Sequence, residues 1–131
     1  MMDTDDVARM ARVAERARAN AYAPYSGFKV GAAALAADGR IFAGANVENA
    51  SYGVTLCAER AAVAAAVAEG AVVVAVLVLS ETGGSPCGTC RQFLYELGAE
   101  MKVLWGDGRG EWRQATTREL LPSPFRFPPG K

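Results

Sequence analysis

Thr55-Leu56-Cys57-Ala58-Glu59-Arg60 and Ser85-Pro86-Cys87-Gly88-Thr89-Cys90-Arg91-Gln92 together contain every cysteine of the chain, three in 131 residues. A Cys-x-Glu followed by a Pro-Cys-x-x-Cys offers three thiolate ligands, the number used by a catalytic zinc site that keeps its fourth position open for water. The sequence has no histidine. A metal here must be held by sulfur and carboxylate alone, and a His-dependent catalytic triad is excluded. Glu59, two residues after Cys57, then reads as a proton carrier beside the metal and not as a ligand. A structural zinc site is the rival reading. Such sites are normally closed by four Cys or His ligands, so Glu59 would have to supply the fourth. A non-catalytic, zinc-stabilised interaction module is a third.

Working outward, Thr55 predicts the cap of a helix that ends at Gly70. The alanines of that helix (58, 61, 62, 64, 65 and 66) favour helix and leave little bulk, so a neighbouring element can approach closely. A second helix is expected from Pro86 or Cys87 to Leu97, stopped by Gly98. Cys57 and Cys87 would lie in the first turns of the two helices, where free N–H groups and the helix dipole favour negative charge. Cys90, one turn beyond Cys87, should point to the same side. Between the helices, Ala71 to Leu79 is a continuous run rich in β-branched residues, as expected of a strand covered on both faces.

Upstream, Thr4 or Asp5 can cap a helix running to about Asn20 with Val7, Met10, Ala14 and Ala17 on one face. Tyr22-Ala23-Pro24-Tyr25-Ser26-Gly27 breaks it. Phe28 to Ala36 and Ile41 to Ala45 then read as strands joined by an Asp38-Gly39 turn. Asn46 to Thr55 is polar and irregular, a loop placed to carry substrate contacts. Downstream, Lys102 to Trp105 and Glu111 to Ala115 read as strands, and Thr116 to Glu119 fits a capping box for a short last helix ended by Pro122. The order predicts one α/β domain over residues 1–131, a three-layer α/β/α sandwich around a five-stranded mixed sheet.

Composition narrows the function classes. Half of the residues are apolar and about a fifth are charged, as in ordinary globular chains. Fourteen acidic residues balance fourteen basic ones. No Lys/Arg run marks a phosphate-gripping surface, so a nucleic-acid partner is not expected. The longest apolar run is far too short to span a bilayer. The acidic start of the chain is unlike a secretory signal, and an odd cysteine count argues for reduced thiols. The expectation is a cytoplasmic protein with no membrane partner.

Three thiolates on Zn²⁺ leave a net charge of minus one, and a nearby cation should offset it. Arg60 and Arg91 are both placed to donate to the sulfurs. Arg60 is the favoured donor, and the alternative is that both arginines face solvent. Hydrolytic attack on an aromatic amidine carbon needs a proton taken from water, one delivered to the ring nitrogen and one to the departing amine. A single carboxylate can carry all three in turn, and Glu59 is so placed.

With these residues in view, the chain resembles the short, homotetrameric cytidine deaminases. The resemblance rests on Phe28 to Ala33, Asn46 to Tyr52, Cys57-Ala58-Glu59-Arg60, Ser85 to Gln92 and Leu120 to Phe125. The Cys-x-Glu with Pro-Cys-x-x-Cys is itself the zinc-deaminase signature. It implies hydrolysis of free cytidine and deoxycytidine to uridine and deoxyuridine in pyrimidine salvage, with one Zn²⁺ per chain. By the same resemblance Cys57, Cys87 and Cys90 are the ligands and Glu59 is the proton shuttle. The backbone of Ala58 binds the base carbonyl, and the carbonyl of Ser85 receives the leaving amino group. Asn46 and Glu48 bind the ribose hydroxyls, and Phe28 packs on the base. Phe125, on the proline-rich arm Pro122 to Pro129, closes a neighbouring subunit's site, with Tyr52 near that junction. A blasticidin-type deaminase is the alternative within the family. A nucleotide or polynucleotide deaminase would be expected to begin its motif with His and to show basic phosphate contacts.

Overall fold

The computed structural model describes residues 2–127. Pro128 and Pro129 of the expected C-terminal arm lie outside the described residues. The elements run α1 (Thr4–Ala19), β1 (Val30–Ala36), β2 (Ile41–Ala45), α2 (Ala58–Ala68), β3 (Val73–Ser80), α3 (Gly88–Leu97), β4 (Lys102–Gly106), β5 (Arg113–Thr116) and α4 (Thr117–Leu120). The five strands form one sheet in the order β2-β1-β3-β4-β5. All pairs are antiparallel except β3 with β4. The sheet is therefore mixed, as the sequence predicts.

Strand alternation divides the interior into two layers. Ala33, Leu35, Ala75, Leu77 and Leu79 face α1, where Met10 and Ala14 are fully buried. Ala32, Ala34, Val76, Val78 and Val103 face α2 and α3, packing with Ala62, Val63, Ala66 and Leu94. The result is a three-layer α/β/α sandwich in which α2 and α3 share one face.

Two glycines set how closely the layers approach. A Cβ on Gly31 would stand 2.0 Å from the carbonyl oxygen of Ala14, and one on Gly44 would stand 2.3 Å from that of Ala58. β1 thus touches the backbone of α1, and β2 touches the first turns of α2. The alanines of α2 supply the complementary smoothness.

Topology explains why the two cysteine stretches meet. β2 and β3 are both antiparallel to β1, hence parallel to one another, and β3 is parallel to β4. The units β2-α2-β3 and β3-α3-β4 both leave the sheet at the same edge and return across the same face. The N-termini of α2 and α3 therefore stand together, outside the carboxyl ends of the strands, where open α/β sheets place their ligands.

Element boundaries differ from the sequence expectations in instructive places. Asp3 caps α1, accepting from the Asp5 amide at 2.7 Å. Cys57, not Thr55, is the N-cap of α2. Residues before it are held extended because Leu56 exchanges two backbone hydrogen bonds of 2.9 Å with Val47. β1 begins at Val30 because Phe28 belongs to a side-chain-bonded loop. The capping box is present, with Thr116 and Glu119 bonding reciprocally. No helix among the described residues is long and apolar enough to cross a membrane.

Candidate metal centre and active site

Cys57 and Cys87 are the N-cap residues of α2 and α3, and neither side chain makes a capping hydrogen bond. Their sulfurs are left free to turn outward from the helix ends. Cys90, in the first turn of α3, is buried beneath them. The three Sγ atoms all lie within 4.8 Å of one another. Tetrahedral zinc with Zn–S bonds of about 2.3 Å needs sulfurs about 3.8 Å apart, so the donor set fits zinc with small side-chain adjustments.

The electrostatics favour a thiolate cluster. Cys57 is lowered to about 5, first by a hydrogen bond from Cys90 and then by Arg60. Cys90 is pushed upward, chiefly by that same hydrogen bond to Cys57 and then by burial. Arg60 Nη2 lies 3.4 Å from Cys57 Sγ and 3.2 Å from the Thr55 carbonyl. Its Nε, among the described residues, is a buried donor without a partner. An unused cationic donor beside the sulfurs suits a site that carries net negative charge.

Arg91 behaves differently. Its Nε donates to the Pro86 carbonyl at 2.7 Å, while the two terminal nitrogens reach Ser85 Oγ and the Leu120 carbonyl, each at 2.9 Å. It ties the loop before Cys87 to the end of α4 and does not face the sulfurs.

A cleft of about 300 Å³ opens over the cluster, lined by Phe28, Val30, Asn46, Cys57, Ala58, Glu59, Val78, Ser85 and Cys87 among others. Glu59 is only 5 % exposed. Its carboxyl is held above the usual range, mainly by burial and further by the Cys57 thiolate. The amide of Ala58, first residue of α2, has no acceptor in its own helix. Six of the expected residues, Phe28, Asn46, Ala58, Glu59, Ser85 and Cys57, thus share one cavity with Cys87.

Five others do not line it, Cys90 among them because it is fully buried. Glu48 is buried just behind, with Oε1 accepting from the Tyr25 and Ser26 amides at 2.9 and 3.1 Å and Oε2 accepting from the Ser26 hydroxyl. These donors hold its carboxyl below the usual range, the Ser26 hydroxyl most of all. Arg60 sits behind the sulfurs. Tyr52, in a 3-10 turn, is 77 % exposed, and Phe125 is 70 % exposed. Phe125 stacks edge-on with Phe127 at 6.0 Å. Its backbone is bracketed at both N–H and C=O by the Gln92 amide, at 3.0 Å each. Gln92 and Ser26 are contributors that motif reading passed over. Ser26 lies in the chain break before Phe28, and nothing local marks a partner 22 residues away.

Asn46 repeats the pattern. Its Nδ2 donates to the Phe28 carbonyl and its Oδ1 accepts from the Val30 amide, both at 2.8 Å. A primary amide has two donors and two lone pairs, and a carboxylate about four acceptor sites. Among the described residues, Asn46 therefore keeps one donor and one acceptor free, and Glu48 keeps one acceptor.

Comparison with known proteins agrees with this geometry. Residues 4–106 match the family model described as "Cytidine and deoxycytidylate deaminase zinc-binding region". The chain is 50 % identical over 114 residues to the cytidine deaminase of Halalkalibacterium halodurans, covering 84 % of this chain and 86 % of that one. It is 43 % identical over 124 residues to the cytidine deaminase of Sporosarcina psychrophila, with 92 % and 91 % covered. The crystal structure of cytidine deaminase from Burkholderia pseudomallei superposes with a TM-score of 0.86 at 44 % identity, covering 95 % of this chain and all of that one. The chain therefore belongs to the zinc-binding cytidine deaminase family of hydrolases.

Proposed function

We propose that the protein hydrolyses free cytidine and deoxycytidine to uridine and deoxyuridine, releasing ammonia, with one zinc ion per chain. The observation that carries this reading is the burial of a carboxylate, Glu59, in the same small cleft as three converging thiols. Cys57, Cys87 and Cys90 would hold the zinc, which when bound supplies Lewis-acid activation of a water. Glu59 takes a proton from the attacking water and delivers it to the ring nitrogen, then carries that water's second proton, released as the new carbonyl forms, to the leaving amine. Burial suits that work, because a carboxylate screened from bulk water exchanges its proton with the substrate and not with solvent. The free Ala58 amide donates to the base carbonyl. The Ser85 carbonyl, on a loop braced by Arg91, receives the departing amine.

Asn46 and Glu48 hold the sugar hydroxyls with the hydrogen-bonding capacity that the loop leaves over. Sites built to bond a hydroxyl reject analogues that lack it, which favours a nucleoside over a free base. Phe28, 37 % exposed on the cleft wall, packs against the ring. The exposure of Tyr52 and Phe125 supports a homotetramer in which Phe125 closes a neighbour's site. Free thiols fit a reducing cytoplasm and a role in pyrimidine salvage.

The test is loss of absorbance near the cytidine maximum on adding zinc-loaded protein, with blasticidin S and cytosine as parallel substrates. Turnover of cytidine with little of cytosine is expected. Turnover of blasticidin S alone would reassign the substrate, and turnover of none would leave a zinc-stabilised module.

A further inference from the structure

The segment from Tyr22 to Val30 is joined to the segment from Asn46 to Glu48 by backbone hydrogen bonds at its two ends and, between them, by the side chains of Asn46 and Glu48. The Tyr22 amide donates to the Asn46 carbonyl at 3.0 Å, the Glu48 amide to the Tyr22 carbonyl at 2.9 Å and the Asn46 amide to the Val30 carbonyl at 3.2 Å. Beyond this the closure relies on Glu48, Asn46 and one hydroxyl. Ser26 Oγ donates to Glu48 Oε2 and at the same time accepts from the Phe28 amide at 2.9 Å. One small side chain therefore links the buried carboxylate to the aromatic residue of the cleft wall. A hydroxyl has one proton and two lone pairs. The single proton goes to the carboxylate, which orients it, and a lone pair anchors the backbone of Phe28.

We infer that Ser26 is a positioning residue of the sugar end of the cleft, aiming Glu48 at a nucleoside's sugar hydroxyl and holding Phe28 in line with it. Without the Ser26 hydroxyl, Glu48 Oε2 has no donor among the described residues, and the carboxylate can rotate about its remaining amide contacts. A carboxylate that serves both the loop and the ligand is useful only while the loop fixes which lone pair faces the cleft. Ser26 itself is exposed, so removing its hydroxyl opens no cavity in the core. The inference rests on the reading that Asn46 and Glu48 meet the sugar.

The experiment compares the parent, Ser26→Ala and Ser26→Thr as zinc-loaded protein, on cytidine and on 2′,3′-dideoxycytidine. A hydrogen bond to a charged group is worth enough to predict about a tenfold rise in KM for cytidine in Ser26→Ala. The kcat should stay within about twofold, and the zinc content should be that of the parent. Ser26→Thr keeps the hydroxyl and should restore KM to within about threefold. On dideoxycytidine the parent and Ser26→Ala should differ by less than about threefold, because the hydroxyl that Glu48 would meet is missing. An unchanged KM for cytidine in Ser26→Ala, or an equal rise on both nucleosides, overturns the inference while leaving the deaminase reading intact. A parent that does not turn over cytidine overturns the deaminase reading. In that case, hydrogen exchange at residues 22–30 still tests the clamp, which predicts faster exchange there in Ser26→Ala and none elsewhere.

Discussion

Replacing Gly44 by alanine should loosen the contact that seats α2, and with it Cys57 and Glu59. The new Cβ would stand 2.3 Å from the Ala58 carbonyl oxygen, 2.4 Å from the Ala62 amide nitrogen and 2.9 Å from the Ala62 Cα. All three are backbone atoms, so no flexible side chain can swing aside. Ordinary contacts lie at about 3.5 Å, which requires α2 to withdraw by about 1 Å. Overpacking a tight site costs roughly 1–3 kcal/mol, and three simultaneous backbone clashes put this case at the upper end. Alanine recovers roughly 0.5–1 kcal/mol of the entropy that glycine loses in a strand. The net loss is about 2.5 kcal/mol, which for a chain of 131 residues lowers Tm by about 9 °C. A 1 Å displacement of catalytic groups is also worth about 10²-fold in rate. Thermal melts, zinc content and cytidine turnover at matched protein concentration measure all three consequences. Gly53→Ala is the control, since a Cβ there meets nothing within 4 Å and should change stability by less than about 0.5 kcal/mol. A Gly44→Ala protein that melts within 2 °C of the parent (well under the ~9 °C shift expected) and turns over normally would refute the claim that this contact positions the site.

Three further outcomes are expected. Cys87→Ala should purify without stoichiometric zinc, because two thiolates hold the metal poorly; full occupancy by elemental analysis would remove Cys87 from the ligand set. Glu48→Gln should destabilise the protein at neutral pH by an amount that shrinks in acid. The folded carboxyl is held below its ordinary 4.5, so the unfolded chain takes up the proton first as pH falls, and the stability supplied by Glu48 is lost through and below that value. Urea titrations from pH 7 to pH 3.5 check the sign, and a gap that widens in acid would contradict it. Finally, with acidic and basic residues in balance, excess single-stranded DNA should neither bind at physiological salt nor slow cytidine turnover; salt-sensitive binding would show a polynucleotide surface that charge counting missed.

Much of the fold was legible because local signals and burial agree. The β-branched run of β3, the Asp38-Gly39 turn and the Thr116 to Glu119 capping box each state their structure within a few residues. The spacing of Cys87 and Cys90 likewise stated that both belong to one helix end. What stayed hidden depends on partners distant in the chain. Thr55 looks like a cap, yet the pairing of Leu56 with Val47 keeps it extended and passes the N-cap to Cys57. Arg91 and Arg60 look equivalent beside their cysteines. Only the fold reveals that carbonyls of Pro86 and Leu120 draw Arg91 away while Arg60 turns to the sulfur. The double duty of Asn46 and Glu48, bracing the loop while keeping capacity for a ligand, has no sequence signature.

The most direct measurement is kcat for cytidine in zinc-loaded Glu59→Gln beside the parent. The substitution keeps the shape of a buried side chain in the cleft and removes its ability to carry a proton. One general acid or base step is worth about 10² to 10⁴ in rate, and several steps share this carboxylate. A loss of at least about 10⁴-fold with zinc still bound is therefore predicted. A kcat within about tenfold of the parent would contradict the assignment of Glu59 as the proton carrier.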